Sequence, residues 1–141
     1  MVRMKTVGYF EGTDSGLLTT IVANGFCTLP LANEWDGHGK EASLIEPNEV
    51  DLIIGYLHKV MPPLKMRKDT KELLPLTDDE YRGIRPSDLL YRAKAYNIQV
   101  FIIVPEEYHD EAKRLLGEAS ECVTLVNPDD LEKKVREYLR F

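Results

Sequence analysis

Short apolar runs rich in β-forming residues alternate with amphipathic segments at both ends of this sequence, and that alternation limits the folds open to it. At the start, Thr6–Phe10 predicts a strand, residues 17–22 carry an apolar stripe at helical spacing, and residues 26–31 predict a second strand. Asn24-Gly25 favours the end of the helix, because glycine adopts a left-handed conformation without steric cost. Pro30 lacks a backbone donor and therefore favours an edge or strand-end position.

The last third of the chain repeats this pattern. We expect a helix over 86–96, a strand over 99–104, a helix over 106–118, a strand over 121–126 and a helix from Pro128, whose inner face carries Leu131, Val135, Tyr138 and Leu139. The helix over 86–96 directs Leu89, Leu90 and Ala93 inward. Consecutive strand–helix pairs of this kind predict a parallel sheet.

The middle of the chain leaves two interpretations open. Residues 50–57 form an apolar run that fits a buried strand, yet their apolar positions also recur at helical spacing. We prefer the strand, because it restores the alternation on both sides. Residues 59–85 are rich in proline and show no sustained periodicity, which is typical of a long loop or arm. The sequence as a whole predicts one domain over 1–141, an α/β three-layer sandwich with a mostly parallel sheet of about five strands, Rossmann-like in architecture.

Composition narrows the partners and the compartment. The formal net charge of −6 argues against a nucleic-acid partner, which normally requires a basic face. No signal peptide or bilayer-spanning run is apparent, so we expect a cytoplasmic protein without a membrane partner. Cys27 and Cys122 lack the paired spacing of a zinc or redox motif, which favours two buried, reduced thiols over a disulfide. A charged fraction of 30% with Gln99 as the single glutamine resembles proteins from hot environments.

The first candidate ligand loop joins the first strand to the first helix. In open parallel sheets ligands bind beyond the carboxyl ends of the strands, and free N–H groups at a helix start attract anions. Candidate ligand-binding residues in this loop are Gly12, Thr13, Asp14, Ser15 and Gly16, of which Thr13, Asp14 or Ser15 can cap the helix. The loop resembles the Ser-Gly-Gly-x-Asp-Ser loop of the ATP-pyrophosphatase family at Gly12, Asp14 and Ser15, with Phe10 and Glu11 in place of its Ser and first Gly. That resemblance covers six residues and implies a phosphate cradle, whereas an ordinary capped helix start is the alternative.

A second candidate stretch, residues 33–40, combines carboxylates, a histidine, a lysine and the single tryptophan with glycines that permit tight turns. Asn33, Trp35 and Lys40 are its candidate ligand-binding residues, and Asp36 and His38 are candidate catalytic residues. His38 could act as a general base oriented by a carboxylate, or could share a metal with Asp36. Two ligands do not define a metal site, so we assign none, and a polar turn remains the alternative.

A third stretch, residues 58–71, holds five basic side chains and one acidic side chain on an otherwise acidic protein. It begins with His58, a candidate acid or base, and Lys59, a candidate for neutralising ligand charge. We therefore expect a domain that binds a nucleotide or another anionic small molecule at the carboxyl ends of the strands. The alternative is a non-catalytic assembly or regulatory protein that uses the 59–85 arm to contact another copy. The sequence leaves open whether the chain is an enzyme and which cofactor it takes.

Overall fold

The fold is built from six parallel strands and the helices that connect them. The computed structural model describes residues 5–32, 40–41, 45–61 and 88–141. The strands are β1 Thr6–Phe10, β2 Cys27–Ala32, β3 Lys40–Glu41, β4 Leu52–Tyr56, β5 Gln99–Ile103 and β6 Thr124–Val126. The helices are α1 Ser15–Ala23, α2 Leu57–Val60, α3 Asp88–Ala95, α4 His109–Leu116 and α5 Leu131–Leu139, with 3₁₀ turns at Glu106–Tyr108, Gly117–Cys122 and Pro128–Asp130.

The strands lie in the order β3-β2-β1-β4-β5-β6, and every pair is parallel. The chain therefore extends the sheet in one direction from β1 and then crosses back to build β4, β5 and β6 on the other side. Five strands have three residues or more, and β3 adds a two-residue strand at one edge. This arrangement confirms the predicted α/β fold with a parallel sheet. It also makes the β1–β4 boundary the place where the direction of winding reverses.

Apolar side chains cover both faces of the sheet and produce the three layers. On one face, α1 contributes Leu17 and Ile21, and α5 packs with Leu131, Val135 and Leu139. The opposite face is covered by α3 and α4. On that face the predicted inner residues of α3, Leu89, Leu90 and Ala93, are all buried.

The boundaries of most elements follow the sequence, and the exceptions have local causes. Residues 50–57 contain β4, as preferred, and the chain enters α2 only at Leu57. The predicted strand over 121–126 is shorter, because 3₁₀ turns occupy Gly117–Cys122 after α4 ends at Gly117 with a φ of +57°. Pro30 pairs with Tyr9 on one side, while β3 begins its pairing with β2 one residue later, at Leu31. The missing donor of Pro30 is thus not needed for pairing with β3.

Two expectations about individual side chains are wrong. Tyr138 was expected to face inward, but 37% of its surface is exposed, and its ring meets Phe101 edge-on at 6.0 Å between centroids. Its hydroxyl group requires a polar partner, which it finds at the sheet edge. The two cysteines form no disulfide, as expected, but neither is buried, because Cys27 is exposed and Cys122 is half-buried.

Asp51 joins the first residues of β1 and β4 at the amino ends of the strands. Its carboxylate oxygen Oδ2 accepts a 2.9 Å hydrogen bond from the Thr6 backbone N–H. Its own N–H donates to the Thr6 carbonyl at 2.9 Å, and its carbonyl accepts from the Tyr138 hydroxyl at 3.2 Å. This edge of the sheet is therefore held by backbone and side-chain hydrogen bonds.

Within the described part of the chain, no helix has the length and hydropathy needed to cross a membrane.

Close packing between Phe10 and Gly55 fixes the spacing at the other end of β1 and β4. A Cβ atom at Gly55 would lie 2.7 Å from Cδ2 of Phe10, closer than real side chains approach. Phe10 is 1% exposed and belongs to the core cluster on the α3 and α4 face, so its ring has little room to move. The last part of β4 consequently requires glycine where the Phe10 ring covers it.

We predict that Gly55→Ala lowers the free energy of unfolding by about 1–3 kcal/mol, because it overpacks the core against Phe10. Urea denaturation followed by circular dichroism measures this loss. In a double-mutant cycle, Phe10→Leu should remove much of the cost of Gly55→Ala, since the smaller side chain makes space. Strictly additive effects of the two substitutions would show that this contact does not set the spacing.

We predict that Tyr138 makes stability fall at alkaline pH. Burial, and secondarily the Asp51 carboxylate, raise the pKa of Tyr138 above its ordinary value of 10.0. As the pH rises, the unfolded chain therefore loses the Tyr138 hydroxyl proton before the folded chain does. The contribution of Tyr138 to stability is complete below the ordinary pKa and is lost as the pH rises through the higher pKa of the folded state. Tyr138→Phe should give a shallower decline in unfolding free energy as the pH rises past the ordinary pKa of 10.0. Parallel pH profiles for both proteins would contradict this assignment.

Candidate functional site

The carboxyl ends of β1 and β4 open into two connections that leave the sheet in different directions. The chain after β1 turns through Glu11 and Gly12 into α1, and the chain after β4 enters the short helix α2 directly. In doubly wound sheets such a reversal of strand order leaves a crevice at the carboxyl edge. Most of the site residues predicted from the sequence that the structure describes lie on these two connections.

The turn after β1 is tight because Thr13 folds back onto the end of the strand. The Thr13 N–H and hydroxyl group both donate to the Phe10 carbonyl, at 3.3 Å and 2.7 Å. Only 9% of the Thr13 surface is exposed. Gly12 has a φ of +96°, a conformation that residues with a Cβ atom rarely adopt. Thr13 therefore shapes the turn from within, and Gly12 makes the turn possible.

Asp14 is the residue that caps α1. Its carboxylate oxygen Oδ2 accepts a 2.9 Å hydrogen bond from the Leu17 N–H, one of the amide groups at the helix start that lack a partner within the helix. The same carboxylate lies beside Gly16, where a Cβ atom would come within 3.1 Å of Oδ2. Asp14 thus places its own negative charge where an anion would bind at this helix start. Of the three capping residues that the sequence allowed, only Asp14 is the cap.

On the β4 side, two aromatic rings stack at the mouth of the crevice. The rings of Tyr56 and His58 have centroids 5.8 Å apart and planes inclined by 25°. Tyr56 is half-buried against the α1 and α5 cluster, whereas His58 is exposed. A Cβ atom at Gly12 would lie 3.8 Å from Cδ2 and Cε2 of Tyr56, which is ordinary contact distance. The turn after β1 therefore lies close to the Tyr56 ring.

Lys59 differs from its neighbour His58 in its surroundings. Only 8% of its surface is exposed, although it lies one residue further along α2. A buried ammonium group is costly unless negative or polar groups compensate for it. Lys59 is therefore shielded from solvent, in contrast to the exposed His58.

The neighbouring strand ends are linked to each other by polar side chains. The Asn127 oxygen Oδ1, after β6, accepts a 3.1 Å hydrogen bond from the Glu106 N–H, after β5. Nε2 of His109 lies 2.8 Å from the Val104 carbonyl oxygen, which can only accept, so this nitrogen carries the proton. His109 is half-buried and its acidic neighbours in sequence are exposed, so this bond ties the start of α4 to the end of the β5 segment. These bonds brace the β5–β6 half of the edge.

The structure brings together part of the predicted site. Gly12, Thr13, Asp14, Ser15 and Gly16 lie on the connection after β1, and His58 and Lys59 lie on the connection after β4. Lys40 lies in β3, paired with Leu31 and separated from β1 by β2. Asn33, Trp35, Asp36 and His38 lie outside the described residues, as does the 59–85 arm beyond Met61.

Tyr56 is a site residue that the sequence reasoning missed. It ends an apolar strand two residues before His58, which made it look like one more core position. The available signal was an aromatic residue at the last position of a strand, two residues before a histidine. Its partner Gly12 could not be inferred, because the order β2-β1-β4 is what places the two together.

Two further observations on the described residues concern metal binding and a groove outside this site. No group of three or more His, Cys, Asp or Glu residues among 5–32, 40–41, 45–61 and 88–141 is arranged to hold a metal ion. A shallow groove of about 470 Å³ runs along α5 and is lined by Glu132, Lys133, Arg136, Glu137, Arg140 and Phe141. The Phe141 ring contacts Phe26 just before β2, so this groove extends towards the amino edge of the sheet.

Comparisons with models of known protein families and with curated protein sequences give no match.

We predict that Asp14 is required for stability through its capping oxygen and not through its charge. Asp14→Ala should lower the free energy of unfolding by about 1 kcal/mol, because the Leu17 N–H loses its acceptor. Asp14→Asn keeps a side-chain oxygen at the same place and should cost much less. Chemical denaturation of the two variants measures the difference. Equal losses for the two variants would mean that the carboxylate charge is essential.

Proposed function

We propose that this chain binds an anionic small molecule, a nucleotide or another phosphorylated or carboxylated compound, in the crevice between the carboxyl ends of β1 and β4. The observation that carries the proposal is that the Gly12 turn and the Tyr56 ring lie close together at the point where the winding of the sheet reverses. Loops that diverge at such a point leave a concave surface between them, and ligands of open α/β sheets bind there.

The charges around the crevice favour one side of it for the anionic group. Glu11 and Asp14 are exposed carboxylates at the start of α1, and Asp14 already accepts a helix N–H. An anion at that position would meet like charge at short distance. On the β4 side, His58 is an exposed imidazole and the next residue, Lys59, is basic, so no carboxylate stands at this position. The proposal therefore assigns the anionic group of the ligand to the His58 and Lys59 side.

If the bound ligand also reacts, His58 is the candidate acid or base among the described residues. An imidazole can both accept and donate a proton, which is what proton transfer to a bound ligand requires. His58 is accordingly the acid or base to test first. The assembly function of the 59–85 arm is the alternative if no ligand binds.

We predict that a bound anion raises the melting temperature of the full chain. At a concentration of about 100 times the dissociation constant, a ligand contributes on the order of 2.7 kcal/mol, which corresponds to roughly 5–10 °C for a chain of this size. The panel contains nucleoside mono- and triphosphates, sugar phosphates, dicarboxylates and inorganic phosphate, each with and without Mg²⁺. Differential scanning fluorimetry gives the shifts.

Gly12→Asp and Gly25→Asp form a matched pair of variants for this screen. Both glycines are exposed and have similar positive φ angles, +96° and +91°, so the backbone strain is similar. Gly25 follows α1 at the opposite end of that helix, away from the crevice. The added carboxylate at Gly12 should abolish the shift, and the one at Gly25 should leave it intact. A shift that survives Gly12→Asp, or no shift with any compound, would contradict the proposed site.

A further inference from the structure

The stacked pair at the mouth of the crevice points to one chemical class of ligand. The ring of Tyr56 stacks with the ring of His58, and the turn at Gly12 lies close to Tyr56. Tyr56 is anchored because it packs against the buried cluster under α1 and α5. The imidazole therefore has one face covered by a fixed ring, while the residue as a whole remains exposed.

A ring held in this way is prepared to receive a second flat group. Its stacking partner restricts its orientation before any ligand arrives, which reduces the conformational entropy lost on binding. Flat heteroaromatic groups stack on exposed aromatic side chains with considerable affinity, and every nucleobase has such a face. A sugar phosphate or a simple carboxylate offers no group that could use this surface.

We infer that the ligand of this crevice carries a flat heteroaromatic ring that stacks on His58, which makes the ligand a nucleotide and not a sugar phosphate. The inference rests on the proposed function and narrows it. His58 then has two contacts with the ligand, its ring face with the base and its ring nitrogens with the anionic group. Gly12 and Tyr56 act as positioning residues, because they hold the imidazole without contacting the base.

The test compares compounds that share a phosphate and differ in the base. Titrations of the full chain by isothermal calorimetry give the affinities for AMP, GMP, CMP, UMP and ribose 5-phosphate. At least one of the nucleotides should bind about tenfold more tightly than ribose 5-phosphate. The quantity of interest is this ratio, because any effect of His58 on the phosphate group is common to both compounds and cancels.

Three variants separate stacking from other effects. His58→Ala should bring the ratio close to one, whereas His58→Phe restores a ring and should keep most of it. Tyr91→Ala removes another exposed ring, from α3, and should leave the ratio unchanged. Melting temperatures of all three variants confirm that they are folded.

The outcomes distinguish this inference from the proposed function. If the nucleotides and ribose 5-phosphate bind with equal affinity, the anion site stands and the stacking inference is overturned. A nucleotide preference that His58→Ala does not reduce also overturns it, since the base would then bind elsewhere. If neither class of compound binds, both proposals fall.

Discussion

The parallel pairing of β1 with β4 is the constraint on which the rest of the structure depends. The chain leaves β1 to build β2 and β3 on one side, and returns to place β4 on the other. Phe10 and Gly55 make this return possible, because the ring covers the strand where a Cβ atom would collide with it. A wider spacing here would separate the two apolar faces as well, since both core clusters contain residues of β1 and β4.

The two ends of this strand pair are organised differently, and the difference explains where a ligand could bind. At the amino end, Asp51 exchanges hydrogen bonds with Thr6 and accepts one from Tyr138. At the carboxyl end Phe10 packs over Gly55, and the two connections then leave the sheet. The amino end of this strand pair is thus joined by hydrogen bonds, whereas the carboxyl end is where the connections diverge and where we propose that a ligand binds.

Much of the fold could be predicted, because the deciding signals are local. The strand Thr6–Phe10 and the inner face of α3 follow from hydrophobic periodicity, and the end of α1 follows from Asn24-Gly25. Features that depend on tertiary contacts were not accessible. Strand order, the exposure of Tyr138 and the proximity of Tyr56 to the Gly12 turn are set by residues far away in sequence. The sequence therefore indicated the loops of the candidate site but not the stacking of Tyr56 on His58.

The role of Asp14 shows why a short motif must be interpreted through its hydrogen bonds. Residues 10–15 resemble a phosphate-binding loop in spacing, and such loops bind phosphate because the helix start offers free N–H groups. In this chain the Asp14 carboxylate accepts one of those hydrogen bonds itself. A phosphate would have to displace that carboxylate and tolerate Glu11 beside it. Electrostatics and capping thus both disfavour an anion at the start of α1, and for this reason the proposed nucleotide is assigned to the stacked rings of Tyr56 and His58.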